Sequence, residues 1–353
     1  MIIGDSMSKI EEQNKIFKII KETYKNKGSI TDSDVYKIIT EYGFTDKEKQ
    51  KRTKKHLFGF KGETKTRGIL LDDENIPFIP FSNNIDSTEE LDTAIKMYIS
   101  VDSKSLNTVY SELRDFIRKN SIKSSNKARN RVTNDDIVLR IPSIKDVELV
   151  RNFIKGNPTI KNSIKNSNPF LAQDELGICY SMDGIKTSVN NELSKSIVSY
   201  LESCNNLDEF TRDGFKKYLH DSKTNFYNRY KRNVSLFSQE STRVNNLLEL
   251  SMDEDFDYSK MMRYAAVMQS FKNNLQRMNI EDLSSIVYND LRKKHSDIDT
   301  INLICNTESL KEEDFNTPFL YVLSKTYLTN GIVLEYLSSV NKEDIERNNK
   351  KFV

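Results

Sequence analysis

A mainly α-helical protein is what this sequence predicts: a small N-terminal unit of three helices with β-hairpins, followed by a larger helical domain. Three observations carry that expectation. Apolar residues recur three and four apart over most of the chain. Glycines and capping residues stand where those runs need to start and stop. Strand-like alternation is confined to the stretch between Leu57 and Phe81.

The first helix is read from Ile10, Ile16, Phe17, Ile20 and Tyr24, which share one face, with Gly28 as its stop. Thr31 can cap a second helix whose stripe is Val35, Ile38, Ile39 and Tyr42, and Gly43 ends it as a left-handed cap residue would. Thr45-Asp-Lys-Glu48 has the spacing of a capping box, in which hydroxyl and carboxylate each accept a backbone N–H, so a third helix is expected from residue 45 to His56. Beyond His56, "LFGFKGETKTRGILL" reads as two short strands around a Lys61–Lys65 turn, and "RGILLDDENIPFIPF" as a further hairpin at Asp72–Asn75. Three helices followed by hairpins resembles the winged-helix class. That resemblance implies a recognition helix at Thr45–His56 and a wing at Lys61–Arg67, within a domain spanning residues 8–81.

Residues 82–120 are expected to add two helices, the first capped by Ser87-Thr-Glu-Glu90 and the second running through Leu106, Val109, Tyr110, Leu113, Phe116 and Ile117. The polar, basic stretch at 121–134 reads as a linker, and 135–345 as a helical C-terminal domain. Within it, Val189–Leu201, Phe210–Leu219, Tyr258–Met278, Ile280–Lys294 and Phe319–Leu337 are amphipathic, whereas 155–188, with Pro158, Pro169 and Gly184, looks irregular.

Charge is distributed unevenly. Residues 43–68 hold nine basic and three acidic residues, 118–165 twelve and four, and the acidic stretch 69–117 lies between them, although the whole chain carries only +2. For a polyanionic partner, that segregation matters more than the net value. No apolar run approaches the length of a spanning helix, and the start lacks the basic and apolar regions of a signal peptide, with Met7 an equal candidate for the initiator. Cys179, Cys204 and Cys305 lie far apart without metal spacing, so a reduced cytoplasmic setting without a membrane is expected.

Several chemistries are disfavoured by spacing. "GICYSMDGIKTS" lacks the Gly-Lys-Ser/Thr succession of a phosphate loop and reads as a turn before the Val189 helix. Asp253, Asp255 and Asp257 alternate as in a calcium loop, but Tyr258 and Tyr264 occupy the positions where glycine and glutamate are required, so an acidic helix start is expected instead. His56, His220 and His295 are scattered. No metal, nucleotide or other cofactor is therefore expected.

What remains are the basic islands. Lys47, Lys51, Arg52, Lys54 and Lys55 on the third helix, and Lys61, Lys65 and Arg67 at the turn, are the expected phosphate contacts. Lys127, Arg129 and Arg131, set among Ser and Asn, are expected to track phosphates as a flexible arm. The functional expectation is a non-enzymatic protein that binds duplex DNA, of the replication, partition or regulatory kind found on plasmids and phages, with self-association through the C-terminal helices. A phage structural or assembly protein is the alternative, and a metal-dependent nuclease the third reading.

Overall fold

A computed structural model describes residues 8–44, 78–102, 104–129, 133–165, 168–182, 188–230, 240–271, 280–306, 309–317, 320–321 and 324. Helix α1 (Lys9–Lys27) opens on a capping box between Ser8 and Glu11 and closes on Gly28 at φ 75°, whose N–H reaches the Tyr24 carbonyl. Helix α2 (Asp32–Thr40) opens on the corresponding box between Thr31 and Asp34. Gly43 follows it at φ 84°, a conformation that a side chain would strain. The expected third helix, the wing and the Asp72–Asn75 turn all lie outside the described residues.

From Phe78 the chain departs from the expected helices. Strand β1 (Phe78–Asn83) takes as its partner a strand more than forty residues on, rather than a neighbour in a wing. Of the Ser87–Glu90 box the carboxylate half forms, with Glu90 accepting the Asp86 and Ser87 N–H groups at 2.9 and 3.2 Å. It starts only a single 3-10 turn (Thr88–Leu91), because Thr93 turns left-handed at φ 66° and the chain then extends into β2 (Ile95–Ile99). The second expected helix is present as α3 (Leu106–Lys119).

The 121–134 stretch, expected as a linker, contains a strand, β3 (Ser124–Arg129). Its polar side chains do not oppose that conformation, because backbone hydrogen bonds to β1 on one side and to β4 (Ile137–Ile141) on the other supply the ladder. Helices α4 (Ile144–Gly156) and α5 (Pro158–Ser163) follow, and then the short strands β5 (Ala172–Gln173) and β6 (Cys179–Ser181) inside the stretch expected to be irregular. The six strands form one antiparallel sheet in the order β1-β3-β4-β2-β6-β5. The sheet thus draws strands from both sides of the expected domain boundary.

Beyond the sheet the chain is helical, as its periodicity predicts: α6 (Val189–Ser203), α7 (Arg212–Tyr230), α8 (Glu240–Ser251), α9 (Tyr258–Phe271), α10 (Ile280–Leu291) and α11 (Asp297–Cys305). No described helix is long and apolar enough to cross a membrane.

Alternation along the strands gives the sheet two chemically different faces. One carries Phe81, Met97, Ile99, Ala128, Ile137, Leu139 and Tyr180. Here Arg118 of α3 lies 4.9 Å over the Phe81 ring, Phe116 of α3 stacks on Phe153 of α4 at 4.0 Å, and Tyr258 of α9 meets Tyr180 at 4.6 Å. Arg151 of α4 and the Tyr180 hydroxyl both donate to the buried Asp174 carboxylate, at 3.0 and 2.8 Å, which ties the β5–β6 turn to this layer.

Helix α1 joins the remaining pieces. Its buried Gln13 donates to the carbonyls of Pro169 (2.8 Å) and Ser251 (3.1 Å) and accepts from Arg212 Nε (3.0 Å). Arg212 in turn donates to the Met252 carbonyl. One turn earlier, the Lys9 ammonium donates to the carbonyls of Asp253 and Phe256, although burial pulls its pKa down to about 8. Phe17, one turn later, meets Phe170, Phe210 and Phe215 at ring separations of 5.2–6.3 Å.

Gln13→Ala strands two buried carbonyls and a buried guanidinium N–H at once, so a loss of about 2–4 kcal/mol in urea unfolding is expected. Lys18→Ala, at a side chain 76% exposed, should stay within about 0.5 kcal/mol of the parent. Brief trypsin treatment of the native protein should spare the Lys127–Ala128 bond, which lies in a strand hydrogen-bonded on both sides. Early cutting there would show that the strand is not held in the sheet.

Candidate anion site

The second face of the sheet is polar. Register aligns Ser82 of β1, Ser125 of β3, Arg140 of β4, Lys96 of β2 and Ser181 of β6 in one row across five strands. The adjacent row holds Lys127, Val138, Tyr98 and Cys179. Arg129, two residues on from Lys127, lies on the same face. Hydroxyls, ammoniums and guanidiniums therefore stand together, and the two rows contain no carboxylate at these positions.

Burial grades along the row. Ser82, Ser125, Lys127, Arg129 and Arg140 are half-buried, whereas Lys96 is 3% exposed and Ser181 is equally enclosed. The Tyr98 hydroxyl and Ser181 Oγ are 3.1 Å apart, and the Lys96 ammonium lies 5.9 Å from the Tyr98 ring centre, where a cation meets the negative face of the π system. Burial first, and then the neighbouring charges of Arg129 and Lys96, pull the Lys127 pKa down to about 8.

The β3–β4 hairpin fixes one end of this face against α2. Arg129 Nη2 donates to the Tyr36 hydroxyl at 2.7 Å and pairs with the buried Asp135 carboxylate at 2.9 Å. Asn134 donates through its backbone to Thr40 O and through its side chain to Ile39 O, both at 2.8 Å, satisfying carbonyls at the end of α2. Asp136 holds the turn by accepting the N–H groups of Val101 (2.9 Å) and Thr133 (3.1 Å). Arg129 Nε, Asp135 Oδ1 and Thr133 Oγ1 are buried without a hydrogen-bond partner.

At the other end of the face, Asn168 N donates to Cys179 Sγ at 3.3 Å and Asn168 Nδ2 to Asn190 Oδ1 of α6 at 3.0 Å. Burial raises the Cys179 thiol to about 12, so it is a packed, protonated group.

Of the residues predicted from sequence, Lys127 and Arg129 lie on this face, in a strand rather than on a flexible arm. Lys47, Lys51, Arg52, Lys54, Lys55, Lys61, Lys65, Arg67 and Arg131 lie outside the described residues. Lys96, Arg140, Tyr36 and Tyr98 were not predicted. The signal for two of them was the single cation inside each of the otherwise apolar runs "IKMYI" and "IVLRI".

The other sequence candidates resolve into local contacts. Asp257 accepts the Lys260 N–H at 3.0 Å as the start of α9, and Asp253 pairs with Lys216 at 2.8 Å. His220 stands 3.0 Å from Glu249, and His295 stands 3.4 Å from Asp314. Among the described residues, no three of His, Cys, Asp and Glu converge as metal ligands would.

No protein-family model matches the sequence, and no curated protein gives a significant match. Two solved structures are similar over part of the chain. An effector protein from Pseudomonas syringae pv. syringae strain 61 matches at 12% identity and a TM-score of 0.36, covering 60% of this chain and 94% of that one. An effector protein from Pseudomonas syringae pv. tomato strain DC3000 matches at 13% identity and a TM-score of 0.36, covering 60% and 93%.

Lysine-selective NMR, with Lys127→Arg as the assignment control, should find the Lys127 amine titrating near pH 8. Asp135→Asn removes a carboxylate whose charge raises the Lys127 pKa and should move that midpoint lower still. A midpoint near 10.5, the ordinary lysine value, would show that the amine is solvated and the cations stand apart.

Proposed function

We propose that this protein binds duplex DNA through its phosphates and performs no chemistry on it. The observation that carries the reading is the second basic island, set in β3 and β4 on one face of the sheet, beside which the described chain on both sides of the first island comes to lie. The first island lies between α2 and β1. Helix α2 meets the second island through the Tyr36–Arg129 contact, and β1 pairs with it along β3. The described segments that flank residues 45–77 therefore both meet Arg129, Tyr36 through its hydroxyl and Phe78 as its strand partner, at the edge of a face whose half-buried cations are Lys127, Arg129 and Arg140. Phosphate contacts supply affinity without reading sequence, and lysine and arginine are the side chains that supply them. Arg52 and Arg67 add the bidentate geometry that lysine lacks.

If about six cations engage at once, counterion release gives a log–log salt slope of roughly −5, which is a loss of about a thousandfold in affinity from about 50 to 200 mM salt. Replacing Lys51, Arg52, Lys55 and Arg67 with Ala should flatten that slope by several units. Replacing Lys18, Lys293, Lys350 and Lys351 with Ala controls for lost charge, the first two being 76% and 61% exposed. Equal weakening by both sets, or no binding by the parent protein, would refute the reading.

A further inference from the structure

We draw no further inference here: the strongest candidate, the cavity of about 410 Å³ between α7 and α8, is floored by side chains already committed to one another, His220 to Glu249 at 3.0 Å and Lys216 to Asp253 at 2.8 Å, and nothing in the structure shows which ligand it would take.

Discussion

A strand turns alternate side chains to opposite faces, and the rest of this molecule depends on the register in which that alternation is locked. With Lys96 opposite Arg140 and Met97 opposite Leu139, one face of the sheet is apolar and the other is a field of donors. A slip of a single residue in β2 would put Lys96 against the aromatic and aliphatic layer of α3, α4 and α9. It would also put Met97 among the cations. The hairpin that joins β3 to β4 guards against this. Its Asp136 carboxylate and Asn134 amide are each committed to backbone groups outside the hairpin, in the segment after β2 and at the end of α2.

Helix α1 is held to its neighbours by buried polar groups as well as by apolar packing. Gln13 and Lys9 on α1 reach carbonyls more than 150 residues away in sequence, and Arg212 completes the junction from α7. Such groups contribute little when satisfied but cost much when stranded, so they select one docking of α1 over its neighbours. The α2 helix that follows α1 carries Tyr36 to Arg129, and so places the hairpin end of the polar face.

Much of the helical structure was legible in the sequence because caps and periodicity agree there. The stripe that stops at Gly28 and the helix capped by Thr31 follow their signals, although the Ser8 cap was not among them and the second helix closes at Thr40, before Tyr42 and Gly43. The long helices after Val189 follow theirs. The sheet was not legible, for two physical reasons. Strand β2, buried throughout, shows no alternation of burial, and a five-residue apolar run is indistinguishable from a turn of buried helix. Strand β3 is polar, and only its backbone ladder with β1 and β4 makes it a strand. The candidate site shared this fate. Lys127 and Arg129 stood out as charges in a basic stretch, but Lys96 and Arg140 acquire meaning only through strand pairing, which is not a local property of either segment.

Amide hydrogen exchange across the full chain tests most directly whether the register of the sheet is the constraint on which the rest depends. The arrangement described here predicts that the amides of β4, hydrogen-bonded between β3 and β2, exchange among the slowest in the molecule and that those of β3 are protected with them. Exchange of the β3 amides as fast as that of an exposed loop would contradict it.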